Sequence, residues 1–161
     1  RGSTESSAGC FGGGRLEAVE PDDRFAVLDI RRRVFGEEQH VADLRVADAD
    51  DGRSLIALAL LHSDDSRQRW PVSTGRLTVV PAVPTMAQIA WVATVPEARR
   101  LGVGTEVMRF LLDAADAAGI IEVALAAQWP AIPFYTRLGF VQAGAPYDVR
   151  GILHRRMTRR R

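Results

Sequence analysis

The apolar positions of this chain change period several times. "RLEAVE" over Arg15–Glu20 alternates apolar and polar residues, the spacing of a half-buried strand. Pro21-Asp22-Asp23 supplies helix-opening residues, and the apolar positions then return three and four apart. A helix is predicted over about Asp22–Val34. "FGEEQHVADLRVADADDGR" has poor periodicity, so a loop with a short second helix is expected. Three strands follow at Ser54–Leu61, Val72–Val80 and Ala87–Val95, the first apolar enough to be buried on both faces. Gly75 inside the second marks a bulge or close packing. Val103, Val107, Phe110, Leu111 and Ala114 repeat at helical spacing to about Ala118, where Gly119 is a natural stop. Ile120–Ala126 reads as a strand and Pro130–Leu138 as a short helix ended by Gly139. Phe140–Ala143 and Tyr147–Met157 read as the last strands.

This order predicts a mixed α/β fold. Consecutive strands in the first half imply antiparallel pairing, and the later strand–helix–strand implies a parallel crossover. The 161 residues suit one domain, expected over residues 15–158. Residues 1–14, rich in Gly, Ser and Thr, are expected to be a flexible leader, and residues 159–161 a frayed basic tail. The leader lacks the apolar core of a signal peptide, and no apolar run is long enough for a membrane span.

Charge narrows the partners. The net charge of +1 offers no general attraction to nucleic acid, and every basic side chain besides histidine is arginine. Arg31, Arg32 and Arg33 sit where positive charge suits the end of the first helix. The lone Cys10 has no internal disulfide partner, and no Cys/His cluster has zinc spacing, which fits a reducing, cytoplasmic home and no metal.

The candidate chemistry centres on "RRLGVGTEVM", Arg99–Met108. A strand, a glycine-rich turn and a helix start form an anion site, because the first helical N–H groups have no intrahelical acceptor and the helix dipole adds positive potential. Gly102 and Gly104 allow close approach to the backbone, and Arg99 and Arg100 add charge at the mouth. A tight packing turn is the alternative. A P-loop is excluded, since Gly104 is followed by Thr105-Glu106. A Rossmann turn is excluded, since Val107 stands where a third small residue is needed.

"WVATVPEARRLGVGTEVMRFLLDAA" resembles the CoA-binding region of the GNAT superfamily of acyl-CoA-dependent acyltransferases, and "AAQWPAIPFYTRLGF" resembles that family's later A-x-x-F-Y-x-x-x-G-F segment. "RRRVFGEEQHV" and "GILHRRM" are similar to its ElaA-like branch. The resemblance covers roughly Arg15–Met157, with Arg100 and Leu101 replacing the usual small and basic residues before Gly102.

The resemblance implies a twisted mixed sheet with flanking helices and parallel strands splayed around CoA. Acetyl-CoA would be the co-substrate. Backbone groups of Val92, Ala93 and Thr94 would pair with its pantetheine arm, and N–H groups of Arg100, Leu101, Gly102, Val103, Gly104 and Thr105 would cradle its pyrophosphate. Tyr135 would give a proton to the departing thiolate, with a packed core aromatic as the alternative role. Glu38 and His154 are the candidate bases, Glu97 a possible relay through water, and Gln128 an orienting group or a backbone partner. Trp91 and Trp129 are candidate pocket walls or core residues, while His40 and His62 look solvated. The acceptor would be a small amine or a protein N-terminus, and acidic Asp43–Asp51 would suit a cationic one. A homodimer is compatible with the family, whereas nucleic acid and membrane are not expected as partners. The competing function is a non-catalytic, acyl-CoA-binding regulatory module.

Overall fold

The computed structural model describes residues 9–11, 14–19, 21–63, 65 and 67–161. Eight strands form one twisted sheet: β1 (Gly9–Phe11), β2 (Gly14–Ala18), β3 (Leu55–His62), β4 (Arg69–Val80), β5 (Val83–Thr94), β6 (Glu122–Gln128), β7 (Val141–Val149) and β8 (Ile152–Arg160). Their spatial order is β1-β2-β3-β4-β5-β6-β8-β7. Every pairing is antiparallel except β5 with β6, which run parallel across α2 (Val103–Ala117). The expected mixed sheet with an antiparallel first half is therefore present.

The parallel pair is short. Met86–Ile89 pairs with Glu122–Leu125, and there the ladder stops. Beyond it β5 continues to Thr94 against β4, while β6 continues to Gln128 against β8. The two strands splay where their C-terminal halves change neighbours.

Side chains alternate faces along a strand, and β4 shows which helix covers which face. A Cβ on Gly75 would lie 3.0 Å from Leu111 and 3.1 Å from Val107, both on α2. The adjacent Arg76 instead reaches Asp48 and Asp51, and Asp51 is bound to Arg31 of α1 (Arg24–Arg31). Thus α1 and α2 lie on opposite faces. Val107, Met108 and Leu111 of α2 and Val27 and Ile30 of α1 are buried against the sheet.

Several boundaries differ from those expected. Gly9–Phe11, assigned to a flexible leader, forms β1 and pairs with β2; residues 1–8, 12 and 13 lie outside the described residues. Arg159 and Arg160, assigned to a frayed tail, pair with Val123 and Glu122, and the Arg161 N–H donates to the Ile121 carbonyl at 2.9 Å. The first helix does not stop at Val34 but continues as a π-helical segment over Arg32–Glu38. The single strand expected over Tyr147–Met157 is broken by a hairpin turn. Arg150 and Gly151 have φ of 54° and 81° there, the left-handed pair of a tight two-residue turn.

Candidate functional site

The splay opens a cleft of about 1110 Å³. Its walls come from both faces of the sheet, with Phe35, Glu38 and Gln39 from the α1 side and Val103, Gly104, Phe134 and Tyr135 from the α2 side.

One end is the start of α2. Gly102 caps this helix at φ 78°, a conformation costly for a side-chain-bearing residue. The ladder begins with the Glu106 N–H donating to the Gly102 carbonyl at 3.1 Å. The preceding N–H groups lie outside it and line the cleft through Gly102–Thr105. A Cβ on Gly104 would stand 3.3 Å from the Thr94 hydroxyl and 3.7 Å from Phe134, so glycine leaves that corner open.

The arginines before the turn divide. Arg100 lines the cleft without an ion pair to any described residue. Arg99 is committed: its guanidinium grips Glu38 at 2.5 and 2.6 Å, and its Nε donates to the Thr94 carbonyl at 3.0 Å. Arg99 thus ties the π-helical segment to the end of β5. Its hydrogen bonds also hold the Glu38 carboxyl below the usual carboxylate range, against the opposing effect of burial. A carboxylate so held is a weak base.

Along β5, Trp91 adopts φ 55°, rare for a bulky residue. Thr74 pairs with Ala93 but Arg76 with Ala90, so Gly75 alone faces both Trp91 and Val92 in a bulge. The Trp91 indole N–H donates to Asp48 at 3.2 Å, its ring packs edge-on to Phe35, and the Arg31 guanidinium lies 4.9 Å from the ring centroid. Val92, Ala93 and Thr94 follow along the cleft wall. The Ala93 and Thr94 carbonyls already accept bonds from the Ser73 hydroxyl and Arg99.

Tyr135 lies on α3 (Ile132–Arg137), whose end is closed by Gly139 at φ 90°. The Phe140 N–H donates to the Tyr135 carbonyl and the Gly139 N–H to that of Thr136, both at 3.1 Å. This closure puts Phe140 against Tyr135, edge-to-face at 6.0 Å. Burial raises the phenol pKa to about 12. The buried side-chain polar atoms without a partner among the described residues are Arg31 Nε and Arg76 Nε. The Tyr135 hydroxyl is therefore bonded or open to the cleft it lines.

His154 lines the cleft beside Gln128, its register partner on β6. Its Nδ1 lies 2.8 Å from the Ile152 carbonyl. A carbonyl only accepts, so Nδ1 carries the proton, and in the neutral ring Nε2 keeps a lone pair. The Gln128 side chain pairs not with backbone but with Gln39, through reciprocal amide bonds of 2.9 and 3.1 Å. Gln39 carries no signal in the sequence that would single it out, because the pairing spans two segments distant along the chain.

Other candidates lie elsewhere. Glu97 is bound by Arg33 at 2.7 Å and does not line the cleft. Trp129 is 45% exposed and off the cleft, and His40 is exposed. The three arginines expected to answer the helix dipole instead form ion pairs: Arg31 with Asp51, Arg32 with Asp29 and Glu37, Arg33 with Glu97. The acidic segment offers no free carboxylate cluster, since Asp48 and Asp51 are consumed by Arg76 and Arg31. No helix among the described residues is long and apolar enough to cross a membrane.

Residues 17–140 match the model of the acetyltransferase (GNAT) family. The uncharacterised protein YyaT of Bacillus subtilis (strain 168) is 29% identical over 137 residues, 85% of this chain and 88% of YyaT. In fold, the chain resembles Escherichia coli ElaA with a TM-score of 0.74 at 24% identity, covering 88% of this chain and 92% of ElaA. An acyl-CoA N-acyltransferase from Pseudomonas aeruginosa gives 0.74 at 24% identity, covering 95% and 99%.

Proposed function

Because the chain belongs to the GNAT family of acetyltransferases, we propose that it moves an acetyl or other short acyl group from acyl-CoA to an amine by direct attack. The observation that carries this is the unbonded N-terminal turn of α2 facing a cleft that penetrates the splayed sheet. The residues fit the co-substrate: backbone donors at Gly102–Thr105 and the Arg100 guanidinium suit a pyrophosphate, and the edge of β5 at Val92 suits an extended amide-bearing arm.

The chemistry is attack of a neutral amine on the thioester carbonyl. The C–N bond forms, the C–S bond breaks, the nitrogen loses a proton and the sulfur gains one. His154 Nε2 is the better acceptor for the amine proton, since Glu38 is bound by Arg99. Tyr135 donates a hydrogen bond toward the departing sulfur. With the phenol near 12 and a thiol near ~8.5, full transfer to the thiolate is uphill by roughly 5 kcal/mol. Tyr135 therefore stabilises developing charge and leaves the final protonation to solvent.

The test has two stages. Calorimetry measures CoA binding, and thiol release from acetyl-CoA then follows turnover across a panel of amines. Binding with amine-dependent thiol release is expected. Binding with no release for any amine would favour the regulatory module.

A further inference from the structure

We infer that the acceptor is a small amine that carries a carboxylate and an apolar body, of the α-amino-acid type, and not a polycation. This acceptor class rests on the acyltransferase function proposed above. It comes from the charges lining the cleft and from which of them are already spent.

Six charged residues line the cleft: Glu38 and five arginines, at positions 45, 99, 100, 137 and 150. Glu38 and Arg99 neutralise each other. Asp48 and Asp51, which make this wall look acidic in the sequence, are turned onto Arg31 and Arg76. Glu38 is the one carboxylate among the residues lining the cleft, so no unpaired carboxylate there is left to attract a cationic substrate. Arg45, Arg100, Arg137 and Arg150 form no ion pair with any described residue.

These four fall into two groups. Arg100 precedes α2, and Arg137 lies on α3 with Phe134, which packs near Gly104; both belong to the phosphate end. Arg45 lies in the loop whose Val46 carbonyl binds Arg31, on the α1 face. Arg150 lies in the β7–β8 turn. The Gln39–Gln128 amide pair joins the base of the Arg45 loop to the end of β6, beside His154. Arg45 from the α1 side, and Arg150 and the candidate base His154 from the β7–β8 hairpin, thus line this mouth of the same cleft. Phe35, Val41, Leu44, Trp91 and Ile152 give that mouth apolar walls. A carboxylate held by two exposed guanidinium groups, with an apolar side chain against these walls, presents its amine to His154.

The experiment compares matched pairs as acceptors by thiol release from acetyl-CoA: L-leucine against isoamylamine, and L-phenylalanine against phenethylamine, with spermidine as the polycation. The amino acid of each pair is expected to have kcat/KM about 10- to 100-fold higher. Salt should shrink that preference, since exposed charges are screened. In a variant carrying Arg45→Gln and Arg150→Gln, with wild-type Tm, the ratio should fall toward one. Equal kcat/KM within both pairs, a preference for spermidine, or no acylation of any member despite CoA binding would each overturn the assignment. Failure of CoA itself to bind in calorimetry would instead remove the acyltransferase function, and the acceptor class with it.

Discussion

Replacing Asp51 with alanine leaves the Arg31 guanidinium sealed in the molecule without its main counter-charge. Arg31 has no exposed surface, and Asp51 binds it at 2.8 and 3.0 Å. The variant keeps the Val46 carbonyl at 2.9 Å and the face of Trp91 at 4.9 Å, neither of which carries a formal charge. Removing one partner of a buried pair costs about 3–5 kcal/mol. Arg76 also loses one of its two carboxylates, which adds to the cost. Solvent reaches 14% of the Asp51 side chain, which lowers it. A loss of about 3–4 kcal/mol is expected, out of a total of roughly 5–15 kcal/mol for a domain. At about 2–4 °C per kcal/mol for this size, Tm should drop by roughly 6–16 °C.

Urea unfolding with an unchanged m-value would measure it. A loss below about 1 kcal/mol, the worth of a surface pair, would refute the reasoning. The pH dependence gives a second check. Burial works against ionisation of Asp51, but bonds from Arg31, the Asp48 N–H and Arg76 outweigh it and hold the carboxyl below its ordinary 3.8. The unfolded chain therefore takes up this proton first as pH falls. The contribution is complete above the unfolded pKa of about 3.9 and is lost through the lower folded value. The gap between wild type and Asp51→Ala should narrow below about pH 4.

Four substitutions probe the cleft itself. Gly104→Val puts carbon where the Thr94 hydroxyl and Phe134 are 3.3 and 3.7 Å away; CoA affinity should fall at least about tenfold by calorimetry, the loss of roughly one charge-assisted hydrogen bond, with the circular dichroism unchanged. Tyr135→Phe removes a donor to the developing thiolate charge and should lower kcat by about 10²–10³ at unchanged CoA affinity, and the wild-type kcat should show no loss from this phenol until pH nears about 12. Equal kcat values would remove the hydroxyl from the mechanism. His154→Gln should cut kcat by about 10²-fold or more, and Glu38→Gln should act mainly on stability and acceptor KM; the reverse pattern would make Glu38 the base.

How much of this was visible in the sequence depended on how local the cause was. "RRLGVGTE" announces its turn because Gly102 needs a left-handed φ and Gly104 a missing side chain, and both needs are written in neighbouring residues. "YTRLGF" likewise encodes its own cap, since Gly139 closes the helix and Phe140 folds back on Tyr135. What the sequence hid were pairings across distance. Arg99 looks like a phosphate ligand until Glu38, 61 residues away, is seen to hold it. Asp48 and Asp51 look like an acidic surface until Arg31 and Arg76 are brought onto them. The π-helical segment hid for another reason. Apolar spacing ended at Val34, and nothing in "GEEQ" marks a wider turn that carries Glu38 and Gln39 to the cleft. At the C-terminus, the apolar residues of Tyr147–Met157 matched one strand, and the Arg150-Gly151 turn carried the signal that outweighed them.

The buried ions and the opening of the sheet are linked through one residue. At Gly75, α2 presses so close that a Cβ would meet Leu111 at 3.0 Å and Val107 at 3.1 Å. Opposite that glycine, β5 carries its extra residue and Trp91 turns to φ 55°. A bulky residue in that region costs about 1–3 kcal/mol unless its surroundings fix it. They do so from the other face, where Asp48 takes the indole N–H and Arg31 sits over the ring. The bulge redirects β5 just after Ile89, the last residue paired with β6. The same charges that consume the acidic loop thus hold Trp91 in the conformation that parts the strands. Weakening them should loosen the cleft before it unfolds the domain, so an Asp48→Asn protein should lose CoA affinity by more than its fall in Tm would suggest. An Asp48→Asn protein that is destabilised yet binds CoA as wild type does would break that link.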